Sequence, residues 1–179
     1  PAFVGADLFM YWKQFDPTRK LAPDLFVLPG VTPGRRLRSW KVWEHDGIVP
    51  NFALEIASGD DFRKDYEDAP LAYDELGVRE LIVFDPDYAQ GRDRFRWQVF
   101  RRLRERGLRR VDATNTDRVR LKSLDCWLRV VGSGDDQRLR LATDPAGDVL
   151  VPTAEERERL DKERERLDKE RERQDKEEE

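Results

Sequence analysis

A seven-residue unit repeats three times without error near the end of the chain, and it limits how much of the sequence can form a folded core. The repeats cover residues 156–162, 163–169 and 170–176, and each reads Glu-Arg-Glu-Arg-Leu/Gln-Asp-Lys. Residues 154–179 hold 13 acids and 9 bases, which accounts for the net charge of −4 of the whole 179-residue chain. The rest is neutral on balance and has the length of one ordinary domain. We therefore predict a globular domain over residues 1–153 and a charged helical tail over residues 154–179.

The tail repeat favours a single solvated helix. Each unit places a Glu four residues before a Lys, an order that stabilises a helix by about 0.3–0.5 kcal/mol per pair. A coiled coil needs two apolar positions per heptad, and each unit has at most one, Leu160 or Leu167. A solvated helix is therefore the preferred interpretation, and a weak coiled-coil stalk that joins two chains as a homodimer stays open.

The composition excludes several classes of protein. No apolar run approaches the about 20 residues of a membrane-spanning helix, and no secretory signal stands at the beginning of the sequence. We therefore expect a cytoplasmic protein that does not associate with membranes. Cys126 is the only cysteine and His45 the only histidine, so one chain can form neither an internal disulfide nor a Cys/His zinc site. Any chemistry must come from carboxylates, lysines and arginines.

Apolar runs between Pro and Gly clusters predict strands that are separated by turns. A strand is predicted over residues 3–12, another over 81–84, and a meander of short strands over 87–151. Between residues 62 and 76 the apolar positions recur at helical spacing, and Gly77 follows as a C-terminal cap. Pro70 interrupts this helix, so we expect a kink there, or a restart with Asp68 as N-cap and Pro70 in the first turn.

Two acids in predicted strands are the candidates for chemistry. Asp24 begins a short strand after Pro23, and Glu55 lies in the middle of an apolar run over residues 52–57. A carboxylate inside an apolar strand carries a desolvation cost of several kcal/mol unless something compensates it. A divalent metal ion held between two such acids is one compensation. The alternatives, that each acid points to solvent or pairs with an arginine, stay open.

An ordered series of short segments resembles a known family. The segments are Ala22-Pro23-Asp24-Leu25-Phe26-Val27, Trp40-Lys41-Val42-Trp43-Glu44, Pro50-Asn51-Phe52-Ala53-Leu54-Glu55-Ile56-Ala57-Ser58, Asp65, Tyr73, Leu76-Gly77-Val78-Arg79-Glu80 and Phe84-Asp85-Pro86. Together they resemble the Uma2 family of restriction endonucleases, a branch of the PD-(D/E)XK nuclease superfamily. The resemblance runs from about Val4 to Glu155.

The resemblance implies an α/β fold with a mixed sheet flanked by helices, followed by a strand-rich C-terminal part. It also implies a DNA endonuclease whose phosphodiester hydrolysis depends on Mg²⁺ or Mn²⁺. Asp24 matches the first metal-binding acid of the family and Glu55 the second. Asp65 matches a further catalytic acid at the start of the family's helix.

Two departures from the family pattern put the activity in question. The family's lysine stands on the helix four residues after the Asp65 position, where this chain has Ala69. Lys64 is a conceivable catalytic substitute, but five residues of a straight α-helix turn through about 140°, so we expect it to face elsewhere. Relatives also have an N-terminal helix that this sequence lacks. The alternative function is therefore a catalytically inactive nuclease-like binding or assembly module, which would act through an arginine-rich stretch over residues 92–110 or through the charged tail.

Overall fold

The computed structural model describes residues 1–32, 37–57 and 64–178. The chain divides into two compact units, Pro1–Cys126 and Trp127–Glu179. The domain boundary that we place after residue 153 stays a prediction. Part of the expected helix, including Phe62, lies outside the described residues.

The strands follow one another closely along the chain. They are β1 (Ala2–Gly5), β2 (Met10–Tyr11), β3 (Lys20–Leu21), β4 (Leu25–Pro29), β5 (Trp40–Lys41), β6 (Phe52–Ile56), β7 (Glu80–Phe84), β8 (Trp97–Leu103), β9 (Gly107–Thr114), β10 (Arg118–Leu121), β11 (Cys126–Val131) and β12 (Arg138–Ala142). The longer helical segments are a π-helix (Lys64–Asp68), α1 (Ala69–Leu76) and α2 (Ala154–Glu178). Short 3₁₀ turns lie at Val42–Glu44, Tyr88–Gln90 and Gly134–Asp136.

A six-stranded mixed sheet forms the centre of the first unit. Its order is β1-β4-β6-β7-β8-β9, in which β6 and β7 are parallel and the other neighbours are antiparallel. A parallel pair needs a crossover connection, and helix α1 lies in the segment that joins β6 to β7. All five residues of β7 are buried, as expected for a central strand covered on both faces. The predicted α/β fold with a mixed sheet is confirmed.

The single strand predicted over residues 3–12 is wrong, because the structure divides it between two sheets. Strand β1 pairs with β4 in the main sheet, whereas β2 lies between β3 and β5 in a small separate sheet. Asp7 adopts a left-handed backbone conformation with φ 51°, which ends an extended strand. Gly5 packs against the ring of Phe26 so closely that any Cβ at this position would collide with it.

Helix α1 begins at Ala69, close to Pro70 as one of the two sequence alternatives predicts, but Asp68 does not cap it, because its backbone is helical and its side chain makes no capping hydrogen bond. A π-helical turn, Lys64–Asp68, comes directly before α1, and Pro70 lies in the first turn of α1. Because proline has no backbone N–H, the helical hydrogen-bond ladder is interrupted at this point. Gly77 closes the helix with φ 98°, and its N–H donates to the carbonyls of Tyr73 and Asp74.

The second unit consists of an antiparallel strand pair and the charged helix. Strand β11 pairs with β12, but the end of the meander predicted over residues 87–151 forms only the isolated bridge between Ala142 and Leu150. The preceding turn explains this, because Asp144 Oδ1 accepts the Val149 N–H at 2.7 Å and holds the segment as a loop.

Helix α2 begins where the sequence change predicts, at Ala154. Thr153 and Glu156 form a capping box, in which Thr153 N donates to Glu156 Oε2 at 2.8 Å and Glu156 N donates to Thr153 Oγ1 at 3.2 Å. Leu160 and Leu167 remain more than half exposed. Among the helices of the described ranges, none combines the length and apolar character that a bilayer crossing requires.

A buried ion pair fixes the end of the central strand β7. Arg94 donates from Nε and Nη2 to the two carboxylate oxygens of Asp85, each at 2.7 Å, and both side chains are buried. The Tyr66 hydroxyl, from the π-helix, donates to the same carboxylate at 2.7 Å. The pair therefore connects the π-helix to the end of the main sheet.

We predict that Arg94→Leu lowers the free energy of unfolding by about 3–5 kcal/mol, because it leaves the buried Asp85 charge without its cation. Urea unfolding of the purified variant measures the loss. The control is Arg92→Leu, which removes an exposed arginine two residues away and is expected to change stability by less than about 0.5 kcal/mol. Equal losses in the two variants would contradict a special contribution of the Asp85–Arg94 pair.

Candidate active site

The register of β4 and β6 brings Asp24 and Glu55 together. Leu25 pairs with Leu54 in this antiparallel ladder, so the next position along places Asp24 opposite Glu55. Asp24 Oδ2 accepts the backbone N–H of Ile56 at 2.6 Å. The charge of Asp24 acts on Glu55 at the point where one strand begins and the other ends, and it contributes to the raised pKa of Glu55.

Helix α1 contributes a tyrosine to the same pair. Tyr73 is fully buried, and its hydroxyl donates to Glu55 Oε1 at 2.5 Å. The pKa of Glu55 is raised to about 8, chiefly by burial and also by the negative charge of Asp24, while the Tyr73 hydrogen bond opposes the rise. Burial and the neighbouring Glu55 raise the pKa of Tyr73 in turn. The site therefore holds two adjacent acids that cannot easily be charged together.

Asp24 and Glu55 differ from several other acids of the first unit because those acids form ion pairs with arginines. Asp85 pairs with Arg94, Glu80 with Arg101 and Asp74 with Arg102. Within the described ranges, neither Asp24 nor Glu55 has such an ion pair. Two carboxyl groups without an arginine partner suit a divalent cation that keeps several water ligands, as Mg²⁺ does, once Glu55 has released its proton. No group of three or more His, Cys, Asp or Glu side chains that could hold a metal occurs in that part of the chain.

A cleft of about 420 Å³ opens beside Glu55. Its lining includes Lys64, Asp65 and Ala69, together with Tyr73. The expectation that Lys64 faces away from the site is wrong, because the segment after it is a π-helix. Hydrogen bonds of a π-helix join residues five apart, so Lys64 lies roughly above Ala69. Asp65 also acts on the site, since its charge contributes to the raised pKa of Tyr73.

Sequence reasoning missed three contributors to the cleft. Phe9 and Lys20, from the hairpin of β2 and β3, line it beside Glu55. Tyr73 was recognised as an apolar helix position and as part of a family motif, but its hydroxyl bond to Glu55 was not predicted. No local signal marks Lys20, because its position depends on the docking of a hairpin that is remote from β6 in the sequence.

The arginine-rich stretch over residues 92–110 is largely used inside the fold. Arg94, Arg101 and Arg102 pair with buried or half-buried acids. Arg109 lies 3.6 Å from Asp74, and Arg110 donates to Gln98. These contacts engage five arginines of the stretch within the fold, four of them with acids. Arg104 and Arg106 remain exposed at the turn between β8 and β9.

The family assignment follows from a match over most of the chain. A family model described as "Uma2: Putative restriction endonuclease" matches residues 2–131. The protein belongs to the Uma2 family, and the resemblance seen in the sequence is confirmed. No curated protein matches the chain.

One solved structure is similar to this chain. It is the crystal structure of a "putative nuclease belonging to DUF820" from Anabaena variabilis, with 16% sequence identity and a TM-score of 0.37. The match covers 86% of this chain and 60% of that one, so the present chain spans less than two thirds of the length of that protein.

The raised pKa of Glu55 predicts how stability depends on pH. In metal-free buffer the folded protein keeps a proton on Glu55 up to about pH 8, whereas the unfolded chain releases it near the ordinary value of 4.5. The stabilising contribution of this group is therefore fully present below pH 4.5 and is lost as the pH rises towards 8. The slope is at most about 1.4 kcal/mol per pH unit.

Urea unfolding at pH 5, 6, 7 and 8 with a chelator measures this contribution. Glu55→Gln is expected to remove most of the decline, because the amide does not titrate. Glu44→Gln, an exposed acid of the same unit, is the control and should keep the wild-type slope. Parallel curves for wild type and Glu55→Gln would show that Glu55 titrates normally.

Proposed function

We propose that the protein is a DNA endonuclease that hydrolyses phosphodiester bonds with the help of Mg²⁺ or Mn²⁺ at the Asp24–Glu55 pair. The observation that carries the proposal is the strand register that sets Asp24 opposite Glu55 beside an open cleft, with no ion pair to either acid among the described residues. The family model describes Uma2 proteins as restriction endonucleases. Because the protein belongs to this family, we expect its substrate to be nucleic acid.

Asp24 and Glu55 are the residues that would hold the metal ion. When bound, a divalent ion polarises a phosphoryl oxygen and increases the acidity of a water molecule. Glu55 must lose its proton to act as a ligand, and Tyr73 would then stabilise the carboxylate through the hydrogen bond to Oε1. Tyr73 thereby holds Glu55 in position and contacts no substrate itself.

Two further side chains of the cleft have roles in this proposal. We assign to Asp65, which lines the cleft, the role of orienting the attacking water or accepting its proton. Lys64 provides a positive charge for the negative charge that develops on the phosphate in the transition state. Because Lys64 is exposed on the first residue of a π-helix, we expect it to be a weaker catalyst than a lysine held in place by packing.

One observation favours the second candidate, an inactive nuclease-like binding or assembly module. Ala69 lines the cleft and carries no charge at the position where the family has its lysine. Loss of one preorganised group that stabilises transition-state charge typically costs about 10²–10³ in rate. Metal binding depends on the carboxylates and would survive this loss, so an inactive relative would still bind Mg²⁺ or Mn²⁺.

We predict weak, metal-dependent nicking of supercoiled plasmid that Asp24→Asn and Glu55→Gln both abolish. Each substitution removes a negative ligand, so calorimetric titration with Mn²⁺ should also show loss of binding. Asp93→Asn, at an exposed acid outside the cleft, is the matched control and should behave as wild type. Nicking that persists in both site variants would belong to another site or to a contaminant, and metal binding without nicking would favour the inactive module.

We further predict that Ala69→Lys raises the nicking rate by about 10²-fold, because it restores a cation on the cleft wall. Leu71→Lys is the matched control, since it adds the same charge to an exposed position of α1 that does not line the cleft. Gel quantification of nicked plasmid under limiting enzyme compares the variants. A similar increase in both would indicate general electrostatic attraction of DNA, and no increase would show that the family's lysine does not limit the rate.

A further inference from the structure

We propose that Lys20 contacts the substrate phosphate in the cleft and supplies the positive charge that Ala69 does not. This proposal rests on the proposed nuclease function. It assigns a substrate contact to the hairpin of β2 and β3, an element that belongs to the small sheet and not to the main sheet that carries Asp24 and Glu55.

The ammonium group of Lys20 lies over the ring of Phe9 in the cleft. Lys20 lines the same cleft as Glu55 and Asp65, and its Nζ lies 5.0 Å from the centroid of the Phe9 ring. Phe9 also lines the cleft and is 47% exposed. A cation above an aromatic face is attracted by the ring, so Phe9 keeps the ammonium group at the cleft wall while leaving its charge available.

The charge of Lys20 is not neutralised by a neighbour. Within the described residues Lys20 has no carboxylate within ion-pair distance, whereas Lys13 on the same hairpin lies 3.7 Å from Asp16. Lys41 likewise pairs with Glu44 at 2.9 Å. A phosphodiester carries a negative charge, and a cation without a partner is the group that gains most from binding it.

The hairpin is fastened to the helix that carries Tyr73. Arg19 Nη1 donates to both carboxylate oxygens of Glu75 at 3.0 and 3.1 Å, and Trp12 Nε1 donates to the same group at 3.4 Å. Lys20 follows Arg19 directly and pairs with Tyr11 across the hairpin. Lys20 and the Glu55–Tyr73 contact are therefore positioned by one helix, as electrostatic stabilisation of a transition state requires.

Lys20 is better placed than Lys64 for this contact. Lys64 lines the cleft, but no aromatic or acidic contact among the described residues fixes its ammonium group. A group that is already oriented loses less freedom when the substrate binds. We therefore expect removal of the Lys20 charge to lower the rate more than removal of the Lys64 charge.

The test compares Lys20→Met with Lys13→Met and Lys64→Met. Binding of a fluorescein-labelled DNA duplex is measured at several salt concentrations with Ca²⁺ in place of Mg²⁺, and nicking is measured separately with Mg²⁺. Lys20→Met should lower the nicking rate by about 10²-fold and reduce the salt slope of binding by about one charge. Lys20→Arg should recover part of both, and thermal unfolding should be unchanged in every variant.

The two assays separate failure of this inference from failure of the proposed function. If wild type nicks DNA and the nicking rates of Lys20→Met and Lys13→Met are equal, the role proposed for Lys20 is wrong but the nuclease function stands. A larger effect of Lys64→Met than of Lys20→Met would assign the charge to the π-helix. If wild type binds DNA without cutting it, the salt slope of binding tests the phosphate contact of Lys20. A slope reduced by about one charge in Lys20→Met supports the contact, and an unchanged slope overturns it. If wild type neither binds nor cuts DNA, both proposals are wrong.

Discussion

The antiparallel register of β4 and β6 is the constraint on which the candidate site depends. Side chains alternate between the two faces of a strand, so a slip of one residue would separate Asp24 from Glu55. Phe26 and Ala53 pair in the same ladder and are both completely buried, and their packing holds the register. The apolar core thus keeps Glu55 opposite Asp24, although burial and the charge of Asp24 both disfavour the charged form of Glu55.

The arginines show how the fold uses charge elsewhere. Glu80 is buried and accepts hydrogen bonds from Arg101, from the Lys122 and Ser123 backbone and from the Ser123 hydroxyl. These contacts lower its pKa in spite of burial. Glu55 receives a hydrogen bond from the Tyr73 hydroxyl but has no arginine partner among the described residues, and burial and Asp24 raise its pKa. Two glutamates in neighbouring parallel strands therefore have pKa values shifted in opposite directions, because Glu80 has an arginine and backbone N–H donors that Glu55 lacks.

Much of the first unit could be predicted from local pattern, and the failures have physical causes. The apolar runs of β6 and β7 predict those strands directly, and a glutamate within such a run stands out as a candidate site. The predicted direction of Lys64 is wrong because it assumes a straight α-helix, whereas the segment from Lys64 to Asp68 is a π-helix. No residue in this short segment marks that difference in the sequence. The place of Lys20 could not be predicted, since it depends on the side chains of Arg19 and Trp12 reaching Glu75 more than fifty residues away.

Strand β9 is an edge strand of the main sheet among the described residues. Its side chains affect whether a strand of another chain can add to the sheet. An edge strand offers unpaired backbone groups on which another chain can add a strand. The outer strand here carries Arg109, Arg110 and Asp112 as exposed residues, so an incoming strand would have to bring complementary charges in register. The charged side chains of this outer strand thus disfavour the addition of a further strand to the sheet.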